Sequence, residues 1–390
     1  MTEPGDRPAH LPVPALPVHG LPLPARSGPA LPVPARSGPA RPLPVHRCPS
    51  ILPPVLLRAV AERGTEQQRG RALRTLAVDA RLRAARGSVA LPRARAGAAP
   101  APTAPSGPQR TVSDAGGSRD LPGREVRGEG GSATGDPAAD EAYDGLGATY
   151  DLWAQAYGRD SLDGAGLPLL AVVHYGRDYD NAFWDGTRMV FGDGDGELFG
   201  RFTASLDVIG HELAHGVTEV EAGLVYSGQS GALNEHVSDV FGSLVVQHLR
   251  GQTADEADWL IGADLLRPGV EGVALRSMAA PGTAYDDPVL GKDPQPASMS
   301  GFVDTREDDG GVHVNSGIPN KAFHHVATAV GGHAWEVVGR VWYDVLRSPD
   351  LRPDCDFASF AALTVATARE HGIAEQVLAG WRAVEVEPAT

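Results

Sequence analysis

The chain has 390 residues and a formal net charge of −15, and this charge is divided very unevenly. Residues 1–104 carry a net charge of +10, without a single Lys, whereas residues 105–390 carry −25. Two cysteines do not make a disulfide framework, and no run of 18 apolar residues is present, so a disulfide scaffold and a membrane-spanning helix are excluded. The basic part lacks interleaved aromatic residues, so no nucleic-acid partner is expected.

Residues 1–46 are rich in Pro and repeat the pattern LPxPARSGPA at 21–30 and 31–40. Such a segment cannot form a core, and we expect an extended, disordered leader. It lacks the charged and apolar regions of a secretory signal, which predicts a cytoplasmic protein or one exported by a non-classical route. The basic charge of residues 1–104 would attract them to the acidic body, although a general bias toward Arg, Ala, Gly and Pro explains it as well.

Residues 47–96 contain Pro53, Pro54 and Leu56, followed by apolar residues among many Arg and Ala, a pattern typical of helix. Residues 97–137 return to Gly, Ala, Ser and Pro and are interpreted as a linker and a flexible start of the next unit. Strong structural signals are expected to begin near Ala142.

Short apolar runs at 169–175 and 189–191 predict strands of a mixed or antiparallel sheet. The Gly and Asp run at 192–197 lacks the twelve-residue spacing of an EF-hand and is interpreted as a turn. After residue 227 the pattern is mainly helical, with helices near 317–331, 333–347, 356–371 and 373–384. The predicted fold is therefore an α/β (α+β) domain followed by a mainly helical domain.

The most informative motif is HExxH, in which His211 and His215 are four residues apart and flank Glu212. Apolar residues recur at steps of three and four from 206 to 220, which predicts an amphipathic helix about four turns long. On a helix both imidazoles lie on one face and can bind one metal ion, while Glu212 can deprotonate a metal-bound water. The motif is typical of zinc metalloproteases.

A second helical pattern carries Glu235, 24 residues after His211, and Asp239 on the same face. Glu235 can be the third ligand of a catalytic zinc site, with Asp239 orienting a ligand histidine. Without the HExxH helix, a solvated acidic face would be the preferred interpretation of these two carboxylates.

Five segments in the right order resemble the thermolysin family of zinc endopeptidases, and the resemblance extends over residues 105–390. They are residues 181–184, 192–196, 231–239, 274–278 and 310–317. The resemblance implies zinc bound by His211, His215 and Glu235, with Glu212 as the base. Tyr226 and His313 would stabilise the oxyanion and Asp308 would orient His313. Asn181, Ala182 and Arg276 would hold the substrate backbone. A hydrophobic pocket would bind the residue after the scissile bond, although its residues could equally be core. They are Phe199, Phe202, Val208, Ile261 and Leu275.

Within the family the chain most resembles the protealysin subgroup, which has a short prosegment, through Pro53, Pro54, Leu56 and residues 121–130. The implied organisation is a Pro-rich leader (1–46), a prosegment (47–104), a sheet-containing domain ending with the HExxH helix (105–226) and a helical domain (227–390). The implied protein is a monomeric precursor that cleaves proteins or peptides before hydrophobic residues. Its own prosegment would be an intramolecular inhibitor, removed by cleavage near 100–110.

Some positions depart from the family. Val246, Leu260 and Ala263 stand where calcium-rich relatives have carboxylates, so the paired calcium site is expected to be absent or weakened, although Asp207 and Asp258 remain. Cys48 could bind zinc in the precursor, or it could be an incidental residue of a flexible leader. A zinc aminopeptidase and a latent precursor that acts mainly as a binding protein stay open as alternatives.

Overall fold

The computed structural model describes residues 50–86 and 106–390, all of which belong to one compact unit, Leu43–Thr390. The predicted leader (1–46) and Cys48 lie outside the described residues. Two helices open the described chain, α1 (Pro54–Arg63) and α2 (Glu66–Arg86). Pro54 is at the first helical position, where its missing N–H costs no hydrogen bond, and α1 buries Leu56, Leu57 and Val60. The prediction of helix in this region is confirmed.

A five-stranded mixed sheet follows. Its strands are β1 (Arg110–Asp114), β2 (Arg124–Gly128), β3 (Leu169–Val173), β4 (Ala182–Trp184) and β5 (Met189–Phe191). In the sheet order β2-β1-β3-β5-β4, the β1–β3 and β3–β5 pairs are parallel and the two outer pairs are antiparallel. The predicted strands and the mixed sheet are confirmed, and β4 is the outermost of the five strands at one edge.

The interpretation of residues 97–137 as a linker is wrong for the described residues after 105. That stretch contains β1 and β2, and helix α3 (Pro137–Tyr157) begins five residues before Ala142. The strands were missed because they are short and mostly half-exposed, so their side chains give a weak alternation. Asp136, the residue just before the helix, caps its N-terminus, because its carboxylate accepts a hydrogen bond from the Ala138 N–H.

Helices α4 (Leu206–Glu221) and α5 (Gly228–Arg250) cross at very short distance. A Cβ atom on Gly242 would lie 2.4 Å from the Asp207 carbonyl oxygen, and one on Gly210 would lie 3.1 Å from the Gly242 Cα. Glycine at both positions therefore lets the two backbones touch. This contact brings the HExxH residues of α4 against the carboxylates of α5.

The rest of the chain is mainly helical, as predicted, apart from residues 251–307, which contain no α-helix. That stretch forms two-residue strand pairs, Leu260–Ile261 with Arg276–Ser277 and Asp286–Asp287 with Gly291–Lys292. The remaining helices are α6 (Asp308–Asn315), α7 (Gly317–Val330), α8 (Val338–Leu346), α9 (Phe357–Ala368) and α10 (Ala374–Ala383). Within the described residues, no helix is long and apolar enough to span a bilayer.

Candidate active site

His211, His215 and Glu235 are buried and converge, with one ligand atom of each lying within 4.8 Å of the others. The two Nε2 atoms are 3.1 Å apart, and each lies 3.5 Å from a Glu235 oxygen. The Oε2 atom of Glu235 is buried without a hydrogen-bond donor among the described residues. Two imidazole nitrogens and a carboxylate are the donor set of a catalytic zinc site, and a cation among them would satisfy all three. The residues therefore fit zinc.

The other nitrogen of each histidine fixes its ring. His211 Nδ1 donates to Asp239, at 2.8 Å, and His215 Nδ1 donates to the Asn234 side-chain oxygen, at 2.7 Å. Because Nδ1 is the donor in both rings, Nε2 presents its lone pair to the metal position. Burial lowers the pKa of His215 to about 3, which keeps it in the neutral form that binds metals.

Asp239 also forms a two-point ion pair with Arg276, with Nη2 2.7 Å from Oδ1 and Nε 2.9 Å from Oδ2. A further hydrogen bond comes from the Asn320 side chain, at 2.8 Å. Burial alone would raise the pKa of Asp239, but the Arg276 charge and the bond from His211 lower it well below its usual range. One carboxylate thus links a metal ligand to a residue predicted to hold substrate.

Glu212 is fully buried beside the trio, and its Oε2 accepts a hydrogen bond from the Trp184 N–H of β4, at 3.0 Å. Burial, followed by the charge of Glu235, raises the pKa of Glu212 well above its usual value. The backbone N–H groups of Trp184 and Ile51 act in the opposite direction, since each favours the ionised carboxylate. A buried carboxylate with a raised pKa is suited to accept and return a proton.

Tyr226, His313 and Asp308 form a chain of contacts that ends at the same trio. The Tyr226 hydroxyl donates to Glu235 and lies 3.3 Å from His313 Nε2. Asp308 accepts both the His313 ring N–H, at 2.6 Å, and its backbone N–H, at 2.9 Å. Burial alone would lower the pKa of His313, but Asp308 and Glu235 raise it to about 9, so that it carries two N–H donors at neutral pH.

The three residues predicted to hold a substrate backbone all contact residues 50–52, here called the cleft segment. Ile51 donates its N–H to the Ala182 carbonyl, at 3.2 Å, and accepts from Arg276 Nη1, also at 3.2 Å. The Asn181 side chain accepts the next backbone N–H, that of Leu52, at 2.9 Å. The chain itself therefore occupies the place predicted for a substrate.

The five predicted pocket residues are all buried in the main core, which also contains Ile51 and Leu52. Only Leu275 among them lines the cavity beside the cleft segment, together with Pro53, Leu56 and Arg276. The other four, which are Phe199, Phe202, Val208 and Ile261, pack in the core and do not line that cavity, and their role as a substrate pocket stays a prediction.

The cavity expected to correspond to the paired calcium site is lined by Asp207, Asp258, Val246, Leu260 and Ala263. The Asp207 carboxylate already accepts from the Gly262 N–H, at 2.6 Å, and from the Val208 N–H, at 2.9 Å. Burial raises its pKa, which disfavours the charged form that calcium would need. The expected loss of this site stays a prediction.

Sequence reasoning missed Asn234, Asn320 and the cleft segment itself. Asn234 is one residue before a predicted ligand and could have been noticed as a second orienting group. Asn320 and the cleft segment carried no such signal, because their partners are 81 or more residues away along the chain.

Comparison with known proteins agrees with this site. Residues 111–219 match the family described as the thermolysin metallopeptidase catalytic domain, and residues 222–386 match its alpha-helical domain. The chain belongs to the thermolysin family. The predicted family and two-domain fold are confirmed, and membership of this family of zinc-dependent endopeptidases makes the chain a zinc metalloendopeptidase rather than an aminopeptidase.

Three similar proteins illustrate the thermolysin-family match. An extracellular metalloprotease of Pectobacterium carotovorum is 51% identical over 87% of this chain and 96% of its own length. A thermolysin of Alicyclobacillus acidocaldarius is 41% identical over 61% of this chain and 42% of its own length. The solved precursor of protealysin from Serratia proteamaculans is 53% identical, with a TM-score of 0.79, and the match covers 87% of this chain and 99% of that one. The likeness to protealysin is therefore confirmed.

Proposed function

We propose that the chain is a latent endopeptidase precursor in which residues 47–104 are an inhibitory prosegment, and that the active enzyme cuts peptide bonds before apolar residues. The observation that carries the proposal is the cleft segment. Its backbone is bound by Asn181, Ala182 and Arg276, and its first residue, Ser50, has its carbonyl oxygen 3.1 Å from His313 Nε2. These groups cannot bind a substrate while the cleft segment occupies them.

Each residue of the site then has a role. Zinc, when held by His211, His215 and Glu235, lowers the pKa of water to about 7 and polarises the substrate carbonyl. Glu212 accepts the proton of the attacking water and returns it to the leaving nitrogen. His313, oriented by Asp308, and Tyr226 donate hydrogen bonds to the oxygen of the tetrahedral intermediate.

The backbone contacts decide where a substrate lies. Ala182 accepts the N–H of the residue after the scissile bond, and Arg276 donates to the carbonyl of that same residue. Asn181 binds the following residue. The apolar side chains of Ile51 and Leu52 are fully buried, which supports a preference for apolar residues after the cut bond.

Helix α2 strengthens the proposed inhibition. Arg71 forms an ion pair with Asp180, with Nε 3.1 Å from Oδ2, and donates to the Gly194 carbonyl, at 2.8 Å. Tyr179 donates to Asp79, at 2.7 Å. These contacts bind the prosegment to the loop just before β4 and to the loop after β5, next to the strand that a substrate must approach.

The test compares zinc content and peptide hydrolysis in the full chain, in the chain after prosegment removal, and in two variants. Glu212→Ala should keep one zinc per chain and lose 10²–10⁴-fold in turnover, because it removes the base and no ligand. Glu235→Ala should lose the zinc. The full chain should hydrolyse an internally quenched peptide at least about tenfold more slowly than the shortened chain. Equal rates before and after removal would contradict the inhibitory role.

The location of the protein is also a proposal, and we favour export from the cell. The sequence favoured a cytoplasmic protein or non-classical export, and the name of the Pectobacterium relative, an extracellular metalloprotease, supports export. Fractionation of the producing cells, with a cytoplasmic marker enzyme as the control, distinguishes the two locations.

A further inference from the structure

The cleft segment lies along β4 in the register of a bound peptide. Ser50 pairs with Phe183 in the antiparallel direction, and the Ile51 N–H donates to the Ala182 carbonyl. Leu52 makes two bonds with Asn181, donating its N–H at 2.9 Å and accepting from Nδ2 at 3.3 Å. The segment thus extends the free edge of the sheet as an added strand.

The opposite side of the cleft fixes the same register. His313 Nε2 donates to the Ser50 carbonyl oxygen at 3.1 Å, and Arg276 donates to the carbonyl oxygen of Ile51. In the proposed reaction these two donors bind the carbonyls on either side of the scissile bond. The Ile51 N–H also interacts with Glu212, the group that returns a proton to the leaving nitrogen.

We propose that the peptide bond between Ser50 and Ile51 is itself a scissile bond, which the enzyme hydrolyses in its own chain to release residues 1–50. This inference rests on the proposed function. It concerns a different bond from the one near 100–110 whose cleavage would release the prosegment.

The step consumes one water. The water oxygen bonds to the carbonyl carbon of Ser50 while Glu212 takes a proton from it. The carbon–nitrogen bond then breaks, and the proton passes from Glu212 to the nitrogen of Ile51. The second proton of the water passes from the new carboxylic acid to the same nitrogen, so the products are a carboxylate on Ser50 and an ammonium group on Ile51.

The residues after this bond suit the site. Ile51 is apolar, as the proposed preference requires, and both Ile51 and Leu52 have the backbone N–H that the site binds. Pro53 and Pro54, which have none, come immediately after. Because Leu56, Leu57 and Val60 of α1 stay buried, the new N-terminus would remain in the cleft as a bound product. Cleavage here removes the leader without opening the site.

The test follows the intact mass and the N-terminal sequence of the zinc-loaded full chain over time, with hydrolysis of an added peptide measured in the same samples. The wild type should yield a chain that begins at Ile51, with a rate constant that does not change on tenfold dilution, because the bond lies in its own cleft. Glu212→Ala should yield none.

Two variants control for the register. Ile51→Pro removes the N–H bound by Ala182 and should slow this cut by at least about 10²-fold, whereas Ile51→Val should cut as the wild type does. Peptide hydrolysis without any chain beginning at Ile51, or a rate that rises with protein concentration, would overturn the inference and leave the proposed function standing. Absence of peptide hydrolysis by the wild type, even after prosegment removal, would overturn both.

A second readout does not depend on turnover. In the metal-free Glu212→Ala chain, the amide hydrogens of Ile51 and Leu52 should exchange at least about 10²-fold more slowly than in an unstructured peptide of the same sequence. Exchange at the peptide rate would show that the register does not exist and would overturn the inference.

Discussion

The cleft segment contacts β4 and helix α2 contacts the loop just before it, and the two use different kinds of groups. The cleft segment is bound through its backbone, by Asn181, Ala182 and Arg276, which can bind any peptide in that way. Helix α2 is bound through its own side chains, chiefly Arg71 and Asp79. The first set of contacts cannot distinguish a prosegment from a substrate, so the persistence of inhibition must come from the second.

The largest expected effect is at Asp239, because this carboxylate holds Arg276, which binds the backbone of the cleft segment. Asp239→Ala leaves the buried Arg276 charge without its partner and should lower the free energy of unfolding by about 3–5 kcal/mol. It also frees the His211 ring, which should weaken zinc binding by about 10–100-fold. Urea unfolding and a zinc-binding titration measure the two effects, with Asp344→Ala as the control, because this half-buried carboxylate, which pairs with Arg340 and His371, is far less completely enclosed than Asp239. A loss below about 1 kcal/mol would contradict the shared role of this carboxylate.

Asn181→Ala should weaken both the prosegment and the substrates. It removes two hydrogen bonds from the backbone of whichever peptide is bound, and in the precursor also a bond to the Asp79 side chain of α2, at 3.0 Å. The kcat/KM of the mature enzyme should fall by about 10–100-fold. The full-chain variant should also be less strongly inhibited. Loss of inhibition with unchanged kcat/KM would mean that Asn181 binds the prosegment alone, and the comparison would fail.

Arg71→Ala should affect only the prosegment. The Arg71 guanidinium is largely buried, and its removal leaves the Asp180 carboxylate without this ion pair. The prosegment should then bind less tightly, and the hydrolysis rate of the full chain should rise by about tenfold. Arg74→Ala is the matched control and should change the rate little. Arg74 is half-exposed, and its guanidinium lies 3.4 Å from the Asp178 carboxylate, an exposed type of ion pair that stabilises by about 0–1 kcal/mol. Equal effects of the two substitutions would remove the distinction between helix and cleft contacts.

The smallest expected effect is a pH dependence at His174. Its two ring nitrogens contact Asp193, at 2.8 Å, and Asp136, at 2.7 Å. Burial alone would lower the pKa of His174, but the two carboxylates raise it above the value of the unfolded chain.

A raised pKa means that the stabilisation is fully present below the unfolded value, about 6.5, and is lost as the pH rises through the folded pKa. The advantage of wild type over His174→Asn, which tolerates the same left-handed backbone, should be at most about 1 kcal/mol near pH 6 and should decline toward pH 9. Unfolding free energies at several pH values measure it. An advantage that grows with pH would contradict the assigned contacts.

The local parts of this protein could be predicted from its sequence. The periodic apolar residues of α4 and the four-residue spacing of its histidines describe one helix face, so these two ligands could be paired from spacing alone. Helix α3 was missed because its many alanines and glycines weaken the periodic pattern of apolar residues. Gly145 is one of them, and its position leaves no room for a Cβ beside Ile209.

The contacts of the cleft segment could not be predicted in this way. Ser50 meets His313 across 263 positions of the chain, and no local pattern encodes such a pairing. The Asn234 contact with His215 spans only 19 positions, but it depends on the close crossing of α4 and α5. Resemblance to a family supplied the roles of Tyr226, His313 and Arg276, and the structure supplied what occupies their site.

A crystal structure of the zinc-loaded Glu212→Ala full chain tests the central claim most directly. It should contain one zinc among His211, His215 and Glu235, with the Ser50 carbonyl within hydrogen-bond distance of His313 and Ile51 between Ala182 and Arg276. A cleft free of residues 50–52, or one in which they run in the opposite direction along β4, would contradict the account.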